Sequence, residues 1–439
     1  MGNKEYDKYK ATDVEWIGKV PAHWDVIKIK YLSPVRRGAS PRPIDDPKFF
    51  DDEGEYAWVR IADVSASDKY LVNTTQRMSE HGSRLSVRLN PGEMFLSIAG
   101  TVGKPCITKI KCCIHDGFVY FPNLKEEIRE FLYYIFETGL PYRGLGKLGT
   151  QLNLNTQTVG DILIPIPEND EINKIIRFIR ANDNFINELL LSTRKQIETL
   201  QQYRQSLITE TVTRGLNSNA KMRKTNVEWL AEMPEHWSIK KLKYMFSIKK
   251  IIANDKNPTV LSLTQKGLKI KDLESNEGQH AADYSKYQEV KLKDFVMNSM
   301  DLLTGFVDCS EFEGVTSPDY RVFVQRDSSQ CHQYFLYYFQ ICYWNKIFYG
   351  HGQGVSNFGR WRLQTDVFKE FPVPVPPISE QYAIAEFLAQ KVNEIEKVIL
   401  EINNMVDQLQ KYRQSLIYEA VTGKIDVRKF IESDMEVRL

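Results

Sequence analysis

Two copies of one unit, arranged in tandem, account for most of the 439 residues of this chain. Residues 14–32 read VEWIGKVPAHWDVIKIKYL and residues 227–245 read VEWLAEMPEHWSIKKLKYM, an ungapped match at an offset of 213 residues. LQQYRQSLI at 200–208 recurs as LQKYRQSLI at 409–417, at an offset of 209 residues. Because self-similarity at a fixed period marks a repeated structural unit, we expect one architecture to occur twice, in copies of about 210 residues.

The two copies agree at their edges and differ in their middles. IPIPENDEINKIIRFI at 164–179 aligns with VPVPPISEQYAIAEFL at 373–388, again at an offset of 209 residues, whereas the middles, 33–160 and 246–370, show no visible match. This contrast indicates shared segments that hold or dock and divergent segments that discriminate between targets. Duplication followed by uneven drift would leave the same contrast without a difference in role.

Each copy ends in a segment with the hydrophobic repeat of a coiled coil, in which apolar residues recur every seven positions. This repeat predicts one long helix per copy. In the first copy the two expected seam series are Ile172, Ile179, Ile186, Thr193, Leu200 and Leu207, and Ile175, Asn182, Leu189, Gln196, Tyr203 and Glu210. In the second copy they are Gln381, Leu388, Ile395, Ile402, Leu409 and Leu416, and Ile384, Lys391, Val398, Met405, Tyr412 and Glu419.

Local signals set the ends of these two helices. Prolines are expected to stop the strand before each helix, with Asp170 or Ser379 as the N-cap and Gly215 or Gly423 just past the end. A single helix cannot bury its apolar stripe alone, so we expect the two helices to pack together as an antiparallel coiled coil. That packing would relate the copies by a pseudo-two-fold axis. The alternative is that each helix packs only on its own domain.

The middles are predicted to be α/β (α+β) domains built from short strands. Helices are expected at 131–139 and 333–345. The fold class is therefore two α/β domains in tandem, joined by two long antiparallel helices. The strand-like runs, bounded by Gly and Pro, are 56–64, 92–100 and 112–121 in the first middle and 259–264, 294–300 and 320–325 in the second.

Basic and polar residues cluster in the predicted loops of both middles. Lys and Arg side chains suit contacts to DNA phosphates, and Arg, Gln and Asn can also bond to base edges in the major groove. The clusters together favour DNA binding, while for any single residue a solvated charged surface is an equal alternative. The candidate DNA-binding residues are Arg36, Arg37, Arg42, Arg60, Gln76, Arg77, Gln265, Lys266, Lys269, Gln353, Arg360 and Arg362.

Composition narrows the class of protein. The formal net charge is +1, which is low for a nucleic-acid binder, so the distribution of charge matters more than its sum. The polar N-terminus does not have the pattern of a signal peptide, so none is expected, and no run of about 18 apolar residues predicts a membrane span. The six cysteines lack the paired spacing of a zinc site and favour reduced thiols in a cytoplasm. We expect a cytoplasmic protein without a membrane partner.

Motifs for catalysis or cofactor binding are also missing. GTVGKP at 100–105 does not have the spacing of a phosphate-binding loop, and the Pro-Pro pair at 376–377 lacks the flanking residues of an adenine-N6 methyltransferase motif. FYGHG at 348–352 fits the glycine turn of many S-adenosylmethionine sites but has no clear strand before it or helix after it. His23 and His236 each precede a tryptophan, so a packing or hydrogen-bonding role is expected for them.

The duplicated order of these segments resembles the DNA specificity subunits of type I restriction–modification systems over nearly the whole chain. PAHW and PEHW are similar to the opening segment of that family, PPISEQYAIAEFL to its Pro-Pro-x-x-Glu-Gln signature, and LQKYRQSLIYEAVTGKI to its distal helix and terminus. The first copy departs from the signature, because Glu168 and Ile172 stand at the positions of Pro377 and Gln381. The helical pattern continues unchanged through this difference.

The resemblance implies that each recognition domain reads one half of a bipartite DNA site and that the helix pair sets the unread spacer. It divides the chain into target recognition domain 1 (1–165), a conserved helical region with the spacer helix (166–216), target recognition domain 2 (217–374), and a second conserved helical region with the C-terminal tail (375–439). It implies double-stranded DNA, two methyltransferase (modification) subunits and restriction subunits as partners. It also implies that this chain is not an enzyme and binds no cofactor or metal, with S-adenosylmethionine, ATP and Mg on the partner subunits.

Two other functions remain open from the residues alone. One is a self-contained DNA methyltransferase or nuclease, which methyl transfer by the chain without a partner would support. The other is a coiled-coil scaffold without a DNA function, which salt-dependent binding of duplex DNA would count against.

Overall fold

The structure is a computed structural model that describes residues 5–143, 145, 154–254, 258–272, 284–354 and 361–430. The chain divides into two compact units, unit 1 (Met1–Ser192 with Asn404–Leu439) and unit 2 (Thr193–Asn403). Each unit contains a mixed α/β part, which we call its head, and a portion of each of two long helices. The head comprises residues 5–166 in unit 1 and 222–375 in unit 2.

Unit 1 begins with short strands and ends in the first long helix, which continues into unit 2. Its strands are β1 (Tyr9–Ala11), β2 (Lys19–Pro21), β3 (Asp25–Lys28), β4 (Arg36–Arg37), β5 (Tyr56–Val59), β6 (Tyr70–Leu71), β7 (Gln76–Met78), β8 (Val87–Leu89), β9 (Met94–Ser97), β10 (Pro105–Thr108), β11 (Cys112–Ile114), β12 (Phe118–Tyr120) and β13 (Leu163–Ile166). Its helices are α1 (Ile61–Ala66), α2 (Glu80–Arg84), α3 (Glu126–Glu137), α4 (Thr156–Gly160) and α5 (Asn169–Arg214).

Two sheets form the frame of the unit 1 head. One has the strand order β4-β12-β9-β10-β6 and the other β7-β5-β11-β8. In the second sheet β5 and β11 are parallel neighbours, with Val59 opposite Ile114. Every residue of β9 and of β11 is buried, as expected for strands covered on both faces, so these strands form a rigid base for the loops at their ends.

Unit 2 repeats this plan with a different head. Its strands are β14 (Met222–Val227), β15 (Leu230–Pro234), β16 (Ser238–Lys241), β17 (Phe246–Lys249), β18 (Leu261–Thr264), β19 (Gly267–Ile270), β20 (Gln288–Val290), β21 (Phe295–Met297), β22 (Val307–Cys309), β23 (Gly314–Thr316), β24 (Arg321–Gln325), β25 (Gln353–Gly354), β26 (Trp361–Arg362) and β27 (Pro372–Val375). Its helices are α6 (Leu242–Met245), α7 (His332–Trp344), α8 (Ile347–Gly350), α9 (Thr365–Glu370) and α10 (Ile378–Val421), of which α10 continues into unit 1.

An aromatic helix fills the core of the unit 2 head. Helix α7 packs against a sheet of order β17-β24-β21-β22, and nine of its residues are buried. The hydroxyl of Tyr334 donates to the carbonyl oxygens of Val212 (3.1 Å) and Pro374 (3.3 Å), and the hydroxyl of Tyr338 donates to that of Pro372 (2.7 Å). These hydrogen bonds satisfy buried phenols and fix α7 to both β27 and α5.

The last strand of each head contains a proline. Pro165 in β13 lies opposite Val26 in β3, and Pro374 in β27 lies opposite Ile239 in β16. A proline has no N–H to donate, and it is tolerated here because each ladder has only two strands and so leaves one edge free. The expectation that prolines stop the strands is therefore wrong for Pro165 and Pro374, but it holds for Pro167 and Pro376, which directly follow the last strand residues Ile166 and Val375.

The ends of the two long helices follow local chemistry. Helix α5 begins at Asn169 and α10 at Ile378, so the expected caps Asp170 and Ser379 are instead the second residues of their helices. The glycines just beyond the helices, Gly215 (φ 77°) and Gly423 (φ 67°), both have the left-handed backbone that ends a helix, as expected.

Within each unit the two long helices run antiparallel. In unit 1, Ile172 and Ile179 of α5 share a core with Ile417 and Val421 of α10, and further along α5 the partner of Asp183 is the earlier residue Arg413. In unit 2, Ile208 and Val212 share a core with Ile384 and Leu388, and Arg204 pairs with the later residue Glu396. The predicted antiparallel pairing holds inside both units.

The seam between the helices departs from the predicted heptad pattern in its second half. The first series of each helix is buried or half-buried as expected, but Gln196, Tyr203 and Glu210 are exposed, and so are Val398, Met405 and Tyr412. The following residues turn inward instead, including Arg204 and Arg413, which are only partly accessible. The buried positions thus recur at i and i+4, a spacing closer to that of a straight helix than to the strict heptad.

The predicted elements of the middles are mostly present with shifted bounds. The expected helices appear as α3 and α7, and the runs at 259–264, 294–300 and 320–325 contain β18, β21 and β24. The run at 56–64 is strand only to Val59, because the chain turns there into α1. The run at 112–121 is two strands, β11 and β12, separated by the turn at His115–Gly117.

All six cysteines are buried and free. Burial raises the pKa of the Cys106 and Cys112 thiols to about 12, so both stay protonated and inert near neutral pH. Across the part of the chain that the structure describes, no helix combines the length and the apolar character needed to cross a membrane.

Candidate nucleic-acid interface

The strongest cluster of candidate residues in unit 1 lies at one end of the four-stranded sheet. Because β5 and β11 are parallel and in register, the residues that follow them, Arg60 and His115, lie at the same level. Asp116 comes next in the chain after His115. The carboxyl ends of two neighbouring strands thus bring residues far apart in sequence to one edge, where loops can act on a ligand.

Asp116 accepts hydrogen bonds from two of the predicted arginines. Its carboxylate accepts a hydrogen bond from Nη2 of Arg42 at 3.1 Å and one from Oγ of Ser40 at 3.2 Å. Its main-chain oxygen accepts from Nε of Arg37 at 2.6 Å. Arg37 and Arg42 are both exposed. Asp116 therefore holds two cations, Arg42 on its carboxylate and Arg37 on its main-chain oxygen, which leaves an excess of positive charge on this edge.

The other unit 1 candidates separate into two kinds. Arg60 is exposed and donates to the side-chain oxygen of Gln76, which places an amide beside a guanidinium at the same edge. Arg77 instead donates to the main-chain oxygens of Gly54 and of Glu55, so it braces the β5–β7 ladder. Arg36 is exposed on β4 beside Arg37.

In unit 2 the candidates lie on two hairpins. Gln265 and Lys266 form the turn between β18 and β19, and Lys269 is exposed on β19. Gln353 and Arg362 lie opposite each other in the ladder of β25 and β26. The predicted Arg360 lies outside the described residues.

A single loop, residues 298–304, brings these two hairpins together. Nε2 of Gln265 donates to the main-chain oxygen of Thr304 at 3.3 Å. On the other hairpin, the main-chain oxygen of Trp361 accepts from the N–H of Leu302 at 3.3 Å. Trp361 is 36% exposed and its ring contacts that of Tyr349, with centroids 5.2 Å apart. The surface therefore combines cations, amides and an accessible aromatic ring, which are the groups used to contact phosphates and bases.

Three residues at these surfaces were missed by the sequence patterns. His115 and Asp116 fall in a run interpreted as one continuous strand, although the Asp116-Gly117 pair is a turn signal that divides it. Trp361 lies between two predicted residues, but no local pattern marks it as accessible.

The repeated PxHW segments attach each head to the start of a long helix. Nε2 of His23 is 2.9 Å from Oε2 of Glu171 in unit 1, and Nε2 of His236 is 2.6 Å from Oε1 of Glu380 in unit 2. Glu171 and Glu380 are equivalent positions of the two copies. The expected hydrogen-bonding role of the two histidines is thus confirmed, and the same histidine–glutamate contact occurs in both units.

A second duplicated feature is a carboxylate held between two lysines. Asp161 accepts from Nζ of Lys28 at 3.0 Å and of Lys30 at 2.8 Å. Its equivalent, Glu370, accepts at 2.6 Å from Lys241 and at 2.5 Å from Lys243. The hydrogen bond from Lys241, followed in importance by the one from Lys243, lowers the pKa of Glu370 to about 2.

The Lys243→Ala substitution is therefore expected to raise the pKa of Glu370 toward the ordinary value of a glutamate, because one of its two donors is lost. Since the carboxyl pKa is lowered in the folded chain, the contribution of this pair to stability is present at neutral pH and is lost as the pH falls. An NMR titration of the side-chain carboxyl measures the change. Lys250→Ala, which removes an exposed lysine nearby in sequence, is the control. A wild-type Glu370 that titrates at the ordinary value contradicts the expectation.

Comparison with known proteins identifies the family. The sequence model described as the type I restriction modification DNA specificity domain matches residues 21–199 and again residues 234–404. The chain belongs to this DNA specificity family. The two matches correspond to the two copies of the internal repeat, so the specificity chain contains two family domains in tandem.

Relatives of this specificity chain match along almost their full length. The type I restriction enzyme MjaVIII specificity subunit of Methanocaldococcus jannaschii is 22% identical over 441 residues, covering 93% of this chain and 95% of the relative. The putative type I restriction enzyme MjaX specificity subunit of the same organism is 21% identical over 451 residues, covering 96% and 97%. These similarities support a role in DNA specificity.

A solved structure confirms the fold of the specificity chain. A chain from a study of complex assembly and conformational transition of the type I R-M system aligns with a TM-score of 0.61 at 15% identity, covering 92% of this chain and 98% of that one. The likeness therefore extends over most of both chains. The predicted fold class, α/β domains in tandem with long helices, is confirmed.

The structure explains the Pro-Pro-x-x-Glu-Gln signature of the specificity chain. Glu380 binds His236 and also accepts at 2.8 Å from Nε1 of Trp237. Gln381 is fully buried, and its Oε1 accepts from the N–H of Cys331, the residue before α7, at 3.0 Å. The signature therefore joins the start of α10 to the PxHW segment and to the first turn of α7.

Proposed function

We propose that this chain is the non-catalytic DNA-reading subunit of a type I restriction–modification complex, in which each head reads one half of a bipartite duplex site. The observation that carries the proposal is the contrast between the units. The repeated segments of the two units share the same ion pairs, but their candidate surfaces share no residue pattern. The surface is an arginine cluster around Asp116 in unit 1 and two hairpins on the 298–304 loop in unit 2. Two different heads on the same repeated framework are suited to a DNA site with two different halves.

The DNA contacts divide into two roles in this proposal. The exposed cations Arg37, Arg42 and Lys266 supply phosphate contacts, which set register and affinity. Gln76, Gln265 and Gln353 supply amides that suit base edges, adenine in particular. Linking two modest readers in one chain raises the effective concentration of the second reader once the first is bound. The helix pair sets the length of the spacer that neither head reads.

The helix pair also docks two methyltransferase subunits. Support comes from exposed side chains that are identical in the two copies. Because these side chains are exposed, packing within this chain does not explain why both copies keep them. Tyr203 and Tyr412 are each 55% exposed, and Leu191 and Leu400 are 64% and 61% exposed. Tyrosine and exposed apolar side chains are common anchors of protein interfaces. Equivalent anchors in both copies fit a partner that binds twice.

Chemistry belongs to the partners in this proposal. The methyltransferase subunits carry S-adenosylmethionine, the restriction subunits carry ATP and Mg, and this chain acts in the cytoplasm beside them. The division into recognition domains at 1–165 and 217–374 and helical regions at 166–216 and 375–439 is part of the same proposal. Methylation of an extruded adenine is favoured on a duplex that is already held in register.

The test is a methyl-transfer assay with labelled S-adenosylmethionine and plasmid DNA. The purified chain alone is expected to transfer no methyl groups, and the chain with its methyltransferase subunit is expected to methylate adenine. Transfer by the chain alone would identify a self-contained methyltransferase. Normal site-selective transfer by the methyltransferase subunit without this chain would overturn the proposal. Absence of any salt-dependent binding of duplex DNA would favour a scaffold.

A further inference from the structure

We propose that the arginine of each LQxYRQSLI repeat, Arg413 in unit 1 and Arg204 in unit 2, is a positioning residue that fixes the angle of its head on the long helices. The proposal rests on the proposed function, because the angle matters only if the heads read DNA. Neither arginine is among the candidate DNA-binding residues, although Arg204 lines a pocket together with Gln265 and Leu303. Both lie at equivalent positions of the two copies.

In unit 1 the guanidinium of Arg413 joins three elements. From α10, its Nη1 lies 2.9 Å from Oε1 of Glu137 at the end of the head helix α3, and its Nη2 lies 2.9 Å from Oδ2 of Asp183 on α5. All three side chains are largely shielded, with 23%, 24% and 13% of their areas exposed. The planar fork of an arginine can bond in two directions at once, so one side chain fixes the head helix to both long helices.

Arg413 is the cation that bonds directly to both carboxylates. Oε2 of Glu137 and Oδ1 of Asp183 are buried and have no hydrogen-bond partner among the described residues. Burial raises the pKa of both carboxyls, which shows that their charged forms lack full compensation. Loss of Arg413 would leave two shielded carboxylates without a directly bonded cation, and the contact between α3 and α5 would open.

In unit 2 the equivalent arginine joins the equivalent elements by different chemistry. From α5, Nη1 of Arg204 pairs with Oε1 of Glu396 on α10, and its guanidinium lies over the ring of Trp344 at the end of α7, 5.9 Å from the centroid. The next residue, Gln205, donates to Oδ1 of Asn345 at 2.8 Å. A head helix, α5 and α10 again meet at the arginine, with a cation–π contact replacing the second ion pair.

The seam pattern supports a positioning role over a simple packing role. A hydrophobic heptad predicts Tyr203 and Tyr412 at the seam, yet the tyrosines are exposed and the arginines turn inward. An arginine at a seam is costly to bury unless its donors are used. Both Nη atoms of Arg413 bond to carboxylates, whereas Nε of Arg204 is buried without a partner among the described residues. The repeat LQxYRQSLI is identical at eight of nine positions, whereas the preceding helical residues 169–199 match 378–408 at only six. The arginine site is therefore the most closely retained part of the helices.

The experiment measures how strictly the complex discriminates between spacer lengths. Plasmids carry the recognised bipartite site with its natural spacer or with one base pair added or removed, and methylation by the reconstituted complex is compared. The R413A variant is expected to lower the preference for the natural spacer by about tenfold, because a head that tilts can meet a displaced half-site. The R413K variant is expected to fall between wild type and R413A, because a lysine cannot bond both carboxylates in a fixed plane.

A second variant and a control keep the outcome decisive. If R413A does not fold, the neutral triple variant R413M/E137Q/D183N removes the same bridge without leaving unpaired charge. Lys411→Ala removes an exposed cation two residues away and is the matched control. Spin labels at Glu127 on α3 and Asp407 on α10 should show a broader distance distribution in the arginine variants and an unchanged one in the control.

The possible failures are distinguishable. A wild-type complex without any spacer preference would contradict the proposed function. A wild-type complex with a strong preference that R413A and the triple variant retain, with unchanged label distances, would overturn the positioning role alone. Loss of total activity with full retention of spacer preference would also overturn it, since that result describes a merely structural residue.

Discussion

Replacing Arg37, Arg42 and Arg60 together by serine weakens binding of the recognised duplex by about 100-fold or more, with little change in the stability of unit 1. The three guanidinium groups are exposed, and each base or phosphate contact of an arginine is worth about 1–3 kcal/mol, so the combined loss is large. Fluorescence anisotropy with a labelled duplex, repeated at several salt concentrations, measures both the affinity and its salt dependence. If the arginines bind phosphates, the slope of log K against log salt falls by up to about three.

The control for this triple variant removes the same charge elsewhere. Arg194, Lys195 and Lys411 are exposed on the long helices, and replacing all three by serine should leave DNA affinity nearly unchanged. The Asp116→Asn substitution should have the opposite effect on DNA affinity. It removes the carboxylate that pairs with Arg42, so DNA binding should become stronger by a few fold. Wild-type affinity in the arginine triple variant would place the unit 1 interface elsewhere.

Replacing Trp24 or Trp237 by alanine destabilises the corresponding unit by about 3–5 kcal/mol. The two tryptophans are 0% and 2% exposed, and each packs against the glycine that ends a long helix, Gly423 for Trp24 and Gly215 for Trp237. Each substitution therefore opens a cavity where the head, the end of one helix and the start of the other meet. Urea denaturation followed by circular dichroism measures the free energy of unfolding.

The phenylalanine variants separate packing from hydrogen bonding. Nε1 of Trp237 donates to Glu380, whereas Nε1 of Trp24 is buried without a hydrogen-bond partner among the described residues. Trp237→Phe should therefore cost about 1–3 kcal/mol more than Trp24→Phe, because it also removes a bond to a carboxylate. Equal losses in the two phenylalanine variants would contradict this assignment.

The duplicated fold could be predicted because it is determined by local sequence patterns that occur in both copies. The heptads, the two terminal glycines and the alternating runs of apolar residues specify long helices and short strands without knowledge of the partner elements. The second seam series could not be predicted, because Tyr203 and its neighbour Arg204 compete for the inward position. Which of them turns inward depends on Glu396 and Trp344, far away in the sequence.

The candidate interface was only partly accessible to sequence reasoning. Arg37, Arg42 and Arg60 could be named from charge alone, but the residue that binds the first two, Asp116, reaches them only through the antiparallel pairing of β4 with β12. Arg77 shows the opposite case. Its charge made it a candidate, but its guanidinium donates to the main-chain oxygens of Gly54 and Glu55. Sequence composition alone cannot reveal these bonds.

The most direct measurement maps the adenines methylated in a plasmid library of random sequence, after co-expression of this chain with its methyltransferase subunit in a host without other adenine methylation. Two short, dissimilar motifs separated by a constant unread gap are the expected result. A triple substitution of Arg37, Arg42 and Arg60 should then relax or abolish only one of the two motifs. A single uninterrupted motif, or two motifs at a variable distance, would contradict two rigidly held readers.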